Sequence, residues 1–138
     1  MEKLLMHVTH TNTGYACWCD LLPGWTTSHG NDFCKFERYV YESLNFYVKC
    51  AREDDEEYPP ILDGEYRLVY DFDICGLLNY YQGVLTFAGL QKITGINQKQ
   101  LAHYAAGRSK PRKQIAETIV SSLKNFGNNL QNISLWTE

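Results

Sequence analysis

The spacing of apolar residues changes along this chain, from every second residue in its first part to every third or fourth residue in its second part. In "KLLMHVTH", Leu4, Met6 and Val8 fall at every second position, and the segment "GYACWCD" repeats the pattern. Because successive side chains of a strand point to opposite faces, this alternation predicts two strands. The intervening "TNTG" is typical of a hairpin, and the turn in "LLPGW" leads into a short third strand, "WTTSH".

A helix and a fourth strand are expected next. Asp32 can cap a helix in which apolar residues recur with a period near 3.6. The segment "REDDEEYPPILDG" ends that helix, because five consecutive acidic residues cannot pack together and proline cannot continue it. The following "EYRLVYDFD" alternates again, so we predict a β-β-β-α-β domain over residues 1–72. The apolar stripe of the helix is Phe36, Val40, Leu44, Tyr47 and Val48.

From residue 73 onward the spacing is helical. Three short segments, "DICGLLNYYQG", "TFAGLQKITG" and "NQKQLAHYAAG", are followed by a helix expected from about Pro111 to a stop at Gly127. The fold class is therefore α+β, with the N-terminal β-β-β-α-β domain followed by an all-α domain over residues 73–138. The chain after Gly127 is too apolar for a solvated tail, and we expect it to dock back or to meet a second subunit.

The formal charge of −3 conceals an asymmetry between the two parts of the chain. Residues 1–85 carry 14 acidic and 6 basic side chains, a net charge of −8, whereas residues 86–138 carry 2 acidic and 7 basic side chains, a net charge of +5. A basic part indicates an anionic partner, and an acidic part is either a solvated surface or a face for a basic partner.

The basic part contains "TGINQKQLAHYAAGRSKPR", which fits two short helices joined by a turn. Gly95 suits the turn, Asn97 can cap the second helix, and three residues of that helix, Leu101, Tyr104 and Ala105, should face the core. Amide side chains can pair with adenine and lysine can reach guanine, so we predict base contacts from the outward side chains. The loop after the helix should contact phosphates. The expected base-contacting residues are Gln98, Lys99 and His103, and the expected phosphate-contacting residues are Asn97, Arg108, Ser109, Lys110 and Arg112.

A solvated helical hairpin is the alternative, and the combination of turn glycine, core spacing, basic loop and net charge favours DNA binding over it. The segment "ITGINQKQLAHYAAGRSKPR" resembles the helix-turn-helix of the Cro/C1-type (XRE) repressors. The resemblance implies that the residues matching Gln98, Lys99 and His103 approach bases. We expect a dimer or higher oligomer that reads a palindromic operator. Gln91 departs from the pattern, which has a small residue there.

The first part, through "GYACWCDLLPGWTTSHGNDF" and its β-β-β-α-β order, resembles the N-terminal domain of HicB antitoxins. The resemblance implies a partial ribonuclease H fold that binds and silences a small basic ribonuclease, HicA, ahead of a DNA-binding domain that represses the operon. The charge argument is independent, because an acidic surface can complement an RNA-binding protein and raise its association rate. The expected toxin-binding residues are Asp20, Glu53, Asp54, Asp55, Glu56 and Glu57.

Two other functions stay open at this point. One is a stand-alone repressor whose N-terminal domain senses a small molecule or only dimerises. The other is a ribonuclease H-like enzyme, but two-metal chemistry needs converging carboxylates and the first strand offers none, so we expect no enzymatic activity. Among the histidines, His7, His10 and His29 could act as acids or bases in principle, yet isolated histidines near strands are usually structural or exposed.

The sequence predicts neither a cofactor nor a metal. Five cysteines without a Cys-x-x-Cys spacing argue against a disulfide framework and against a zinc site, so we expect reduced and mostly packed thiols. The chain has no apolar run long enough to span a membrane and no signal segment, from which we expect a cytoplasmic protein.

Overall fold

Four strands form one mixed sheet in the computed structural model, which describes residues 1–137. The strand order is β3-β2-β1-β4, in which β1 pairs antiparallel with β2 and parallel with β4. The elements follow the predicted β-β-β-α-β order, and the fold is mixed α+β, as expected. The strands are β1 (Glu2–Thr11), β2 (Gly14–Trp18), β3 (Thr26–His29) and β4 (Tyr66–Phe72).

One helix, α1 (Phe33–Glu53), covers one face of this sheet. Asp32 caps it as predicted, because the Asp32 carboxylate accepts a hydrogen bond from the Lys35 amide at 3.1 Å. The predicted alternation is confirmed in β1, where Leu4, Met6 and Val8 are buried, and each fully buried aliphatic side chain contributes roughly 1.5–3 kcal/mol. In β4, Leu68 is buried, whereas Tyr66, Tyr70 and Phe72 are half-buried. Tyr47 is only half-buried. The core contains Leu4, Met6, Val8, Tyr15, Cys17, Cys19, Leu22, Phe36, Val40, Leu44 and Leu68.

The β1–β2 hairpin returns at Gly14, whose φ of 130° is accessible mainly to glycine. A Cβ atom at this position would lie 2.2 Å from the carbonyl oxygen of Gly30. That oxygen accepts a hydrogen bond from the Tyr15 amide at 3.0 Å. The hairpin and Gly30, the residue after β3, are therefore in backbone contact, and a side chain at residue 14 would separate them.

Four helices follow the sheet: α2 (Ile74–Gln82), α3 (Phe87–Thr94), α4 (Gln98–Ala105) and α5 (Lys113–Gln131). The predicted stop at Gly127 is wrong, because α5 continues to Gln131. A glycine inside a helix costs only about 1 kcal/mol relative to alanine, and no proline follows to break the helix. The buried side chains of these helices are Leu78, Leu90, Thr94, Leu101, Tyr104, Ala105 and Ile119.

The chain divides into two compact units, Met1–Leu77 and Leu78–Glu138, which we call the first and second units. The division falls inside α2, whereas the sequence pattern places it at Phe72/Asp73, just before that helix. Asp73 caps α2, since its carboxylate accepts a hydrogen bond from the Gly76 amide at 2.7 Å. Among residues 1–137, none of the helices has the length and apolar character to cross a membrane.

Candidate functional site

The turn between α3 and α4 is fixed by backbone and side-chain hydrogen bonds. Gly95 has the left-handed φ of 78°, and its amide donates to the Gln91 carbonyl at 2.8 Å to close α3. The Thr94 hydroxyl donates to the Leu90 carbonyl at 2.8 Å and accepts from the Ile96 amide at 3.2 Å. The predicted role of Gly95 in the turn is confirmed, because a left-handed residue at a helix end favours glycine.

Two side chains satisfy the first amides of α4. The Asn97 side-chain oxygen accepts from the Lys99 amide, and the Gln91 side-chain oxygen accepts from the Gln98 amide, both at 2.8 Å. Gln91, which departs from the repressor pattern, thus ties α3 to the first residue of α4. Asn97 is confirmed as a cap, and its predicted phosphate contact would use the side-chain nitrogen, because a phosphate only accepts hydrogen bonds.

The outward side of α4 carries the predicted base-contacting residues. Gln98, Lys99 and His103 are all exposed, and we call these three the recognition face. The opposite side packs into the core: Leu101 is fully buried, and Tyr104 and Ala105 are 8% and 7% exposed. The predicted orientation of this helix is therefore confirmed, and the amide and ammonium groups that can pair with base edges point to solvent.

The residues after α4, 106–112, form the basic loop. Gly107 ends the helix in the left-handed region, with φ 74°, and the Arg108 amide donates to the His103 carbonyl at 3.0 Å. The Asn79 side chain donates to the Ala105 carbonyl at 2.8 Å, which fixes the start of the loop to α2. These contacts hold the loop next to the C-terminal end of the recognition face.

Of the predicted phosphate contacts in the basic loop, Arg108, Lys110 and Arg112 are exposed. Ser109 is half-buried and accepts a hydrogen bond from the Gln100 side chain at 3.4 Å. Residues 98–112 contain four Lys or Arg side chains and no carboxylate, so α4 and the basic loop carry only positive charges.

The acidic residues at the end of α1, residues 53–57, form the acidic turn. Asp55 takes a left-handed conformation with φ 54°, and the Glu56 amide donates to the Ala51 carbonyl at 2.8 Å, so the chain reverses on the helix end. All five side chains are exposed. Five of the six predicted toxin-binding residues, which are consecutive in the sequence, are thus exposed in one turn.

Arg52 fixes the segment that follows the acidic turn. Its guanidinium donates to the Asp63 carboxylate at 2.7 Å and to the Tyr58 hydroxyl at 2.9 Å, and that hydroxyl donates to Asp63 at 2.7 Å. The hydrogen bonds from Tyr58 and Arg52 lower the pKa of Asp63. Hydrogen bonds therefore fix the residues on both sides of the acidic turn, Arg52 before it and Tyr58 after it.

Asp20, the sixth predicted toxin-binding residue, lies outside the acidic turn. Its carboxylate is 3.0 Å from Nε2 of His7, and the carboxylate of Asp71 is 3.0 Å from Nδ1 of the same ring. Because an ionised carboxylate only accepts hydrogen bonds, the contacts with Asp20 and Asp71 favour the ring form that carries a proton on both nitrogens, and they raise the pKa of His7. The ring also stacks on Trp18, with centroids 5.4 Å apart.

This His7 cluster is a feature that sequence reasoning missed. Asp71 lies opposite His7 in the register of β1 and β4, and the two residues are 64 positions apart in the chain. Three carboxylates on or next to α1 and β4 accept hydrogen bonds from neighbouring side chains: Asp71 from His7, Asp73 from Thr9 and Glu37 from Tyr70. Within residues 1–137, no group of three or more His, Cys, Asp or Glu side chains is arranged to hold a metal ion.

The five cysteines form no disulfide in this structure. Cys17 and Cys19 are buried, and burial raises the pKa of Cys17 to about 12, so its thiol is unreactive at neutral pH. Cys50 and Cys75 are half-buried, and Cys34, in the first turn of α1, is the exposed exception to the expectation of mostly packed thiols.

No protein-family model, curated protein or solved structure matches this chain. The likeness to HicB antitoxins and to Cro/C1-type repressors therefore stays a hypothesis, supported by the residues described above.

Proposed function

We propose that this chain is a HicB-like antitoxin, in which the second unit represses an operon by binding operator DNA and the first unit neutralises a small ribonuclease toxin. In this proposal residues 73–138 form a Cro/C1-type helix-turn-helix domain, the protein acts in the cytoplasm as a dimer or higher oligomer, and it has no enzymatic activity. The observation that carries the proposal is the recognition face, whose exposed amide and ammonium groups adjoin the basic loop.

The recognition face fits the major groove, which is about 12 Å wide and admits one α-helix. Gln98 and Lys99 lie in the first turn of α4, the part of a recognition helix that contacts base edges. The capping bonds from Gln91 and Asn97 fix this turn before DNA is bound, so little ordering entropy is lost on binding. The basic loop then positions the helix through phosphates.

The DNA-binding half of the proposal is tested by mobility shift on the DNA upstream of the reading frame. Gln98→Ala and Lys99→Ala should each weaken specific binding by roughly 1–3 kcal/mol, because each removes contacts to a base edge. Binding to unrelated DNA should change much less for Gln98→Ala, which removes no charge. The matched control is Lys49→Ala, which removes an exposed charge from α1. Sequence-specific binding that is unchanged in both variants would rule out the base-reading assignment.

The antitoxin half rests on the acidic turn, where five exposed carboxylates can meet a basic protein. Such a surface accelerates association with an RNA-binding toxin and can cover the site that the toxin uses for RNA. Asp20 contributes less in this proposal than the acidic turn, because its carboxylate already accepts a hydrogen bond from His7.

The partner is identified by co-expression with the product of an adjacent short reading frame that encodes a small basic protein. We expect relief of toxicity and co-purification. The double variant Glu56→Gln/Glu57→Gln should slow association, while Glu2→Gln/Glu65→Gln, which neutralises two exposed carboxylates outside the turn, should slow it less. Failure to relieve toxicity or to co-purify would contradict the proposed toxin neutralisation and would not affect the proposed DNA binding.

A stand-alone repressor with a ligand-sensing first unit is the second candidate. It is favoured by a surface cleft of about 410 Å³ between α1 and the short 3-10 helix at Pro60–Asp63. The volume suits a small ligand, although Arg52 and Asp63 line the cleft and already pair with each other. The same co-expression experiment separates the two candidates.

A further inference from the structure

A separate cleft of the first unit lies beside the N-terminal half of α1, next to the end of β3. Its volume is about 230 Å³, and it is lined by His29, Lys35, Arg38, Tyr39 and Glu42. The four residues of α1 recur at spacings of three and four, which places them on one side of the helix. All five side chains are exposed, so this side faces away from the core. We call the site the β3–α1 cleft.

Two of the lining side chains are stacked aromatic rings. The His29 imidazole lies against the Tyr39 ring, with centroids 4.7 Å apart and an angle of 15° between the ring planes. Sheet pairing with Tyr15 of β2 holds His29 in place. Tyr39 is still 38% exposed, so the stacked pair keeps surface that a further flat ring can cover. Nucleic-acid bases stack on such rings with little dependence on which base it is.

The two cations of the β3–α1 cleft are available to a ligand. Among residues 1–137, no ion pair or side-chain hydrogen bond engages the Lys35 ammonium or the Arg38 guanidinium, although Glu42 follows Arg38 by one turn. At the other end of α1, by contrast, Arg52 donates to Asp63 at 2.7 Å. A lysine and an arginine one turn apart can both donate to one phosphate, and the guanidinium can do so bidentately.

The β3–α1 cleft is distant from the acidic turn, although both belong to the same helix. With a rise of about 1.5 Å per residue, Glu42 lies roughly 16 Å from Glu53 along the axis and Lys35 lies roughly 27 Å from it. Both distances exceed the Debye length of about 8 Å at physiological ionic strength. Asp32 is nearer, but its carboxylate already accepts a hydrogen bond from the Lys35 amide. An anion can therefore bind here, although residues 1–85 carry a net charge of −8.

The lining groups match the three parts of a nucleotide. The two cations suit the phosphate, and the stacked rings suit the base. The Glu42 carboxylate only accepts hydrogen bonds, which suits a ribose hydroxyl group, the group that acidic side chains bind in dinucleotide-binding proteins. An inorganic anion would leave the rings unused and would be repelled by Glu42. The volume is below the roughly 300–1,000 Å³ of sites for drug-sized ligands, which favours a single nucleotide over a larger cofactor.

We infer that the β3–α1 cleft binds a nucleoside monophosphate, with its phosphate between Lys35 and Arg38 and its base against the stacked rings of His29 and Tyr39. This site lies outside the proposed function, because it uses none of the residues assigned to operator DNA or to the toxin. The bound nucleotide bridges β3 and α1, so it should also stabilise the folded first unit.

NMR titration of the full chain with adenosine monophosphate tests the site. We expect saturable shifts of the amide signals of residues 29 and 35–42. Adenosine, which lacks the phosphate, and ribose 5-phosphate, which lacks the base, should each bind at least about tenfold more weakly. Shifts confined to the basic loop, or shifts that do not saturate, would overturn the inference. Ribose 5-phosphate that binds as tightly as the nucleotide would do the same, because the rings would then not contact a base.

Two variants test the phosphate contacts. Lys35→Gln and Arg38→Gln should each weaken binding of adenosine monophosphate by at least about tenfold, because each removes a charged donor. Arg67→Gln is the matched control, since it removes an exposed arginine from β4 of the same unit. The amide spectrum of each variant checks that the first unit is folded. Equal affinities of Arg38→Gln and Arg67→Gln would contradict the assignment of the phosphate to this cleft.

Tyr39→Leu tests the base contact separately. It should weaken binding of adenosine monophosphate and leave the weak binding of ribose 5-phosphate unchanged, because only the nucleotide carries a ring to stack. An equal effect on both ligands would rule out stacking. Mobility shifts with operator DNA should be the same for all these variants and the original chain, so the nucleotide site and the proposed DNA binding can fail independently.

Discussion

At the scale of single residues, His7 shows how a side chain on a strand acquires a structural role from its neighbours. Asp71 flanks it from β4 and Asp20 from the loop after β2, and Trp18 stacks on its ring from β2. The ring therefore joins three parts of the first unit. Because the hydrogen bonds to Asp20 and Asp71 raise the pKa of His7, protonation of the ring stabilises the folded state, and the stability of this unit depends on pH.

His7→Gln tests that dependence. The raised pKa of folded His7 means that its contribution is fully present below the unfolded value of about 6.5 and is lost as the pH rises through the folded pKa. Urea unfolding should therefore show a larger loss of stability for the variant at pH 5.5 than at pH 9. His29→Gln, which removes a ring stacked on Tyr39, is the control. An equal loss of unfolding free energy at both pH values would show that the charge of His7 does not contribute to stability.

Gly14 gives a second prediction at this scale. Gly14→Ala should lower the free energy of unfolding by at least about 2 kcal/mol, because it combines an unfavourable φ with a clash against the Gly30 carbonyl. Gly24→Ala separates the two effects. Gly24 also has a positive φ, 82°, but its Cβ would meet nothing within 4 Å, so its cost should be about 1 kcal/mol. Equal costs in the two variants would contradict the clash.

At the scale of elements, the contact from Gln91 fixes α4 relative to α3. Gln91→Ala should reduce the stability of the second unit by about 1 kcal/mol, although alanine is the better helix former, because the Gln98 amide loses its acceptor. Gln91→Glu keeps an acceptor and should retain stability in thermal unfolding. Gln114→Ala, at an exposed amide in the first turn of α5, should be neutral or slightly stabilising. A loss in Gln114→Ala equal to that in Gln91→Ala would mean that the capping bond contributes nothing.

Local patterns predicted most of these elements. Strand alternation located the inner face of β1, the capping residues located the starts of α1, α2 and α4, and helical spacing placed Leu101 and Tyr104 in the core. Contacts between distant residues were not predictable in this way. The parallel pairing of β1 with β4, and with it the His7–Asp71 contact, depends on the fold as a whole. The length of α5 depends on the small cost in helix stability of the interior Gly127.

At the scale of the whole molecule, the proposed function assigns the acidic and the basic parts of the chain to different partners. Operator binding should weaken steeply as salt rises, because each phosphate contact releases counterions and contributes about 0.9 to the slope of log affinity against log salt. Arg108→Ala should lower that slope by about 1, and Lys49→Ala, on α1, should leave it unchanged. Fluorescence anisotropy at several salt concentrations measures both. An unchanged slope for Arg108→Ala would remove Arg108 from the phosphate contacts.

The central position of β1 has a consequence for how the first unit folds. The antiparallel partner β2 follows β1 directly, but the parallel partner β4 pairs His7 with Asp71 across 64 positions of the chain. Closing such a loop loses chain entropy before the contacts compensate, and non-local pairing of this kind slows folding. We expect β4 to join last, so that an intermediate with an open β1 edge precedes the native state. The helices of the second unit make more local contacts and should refold faster.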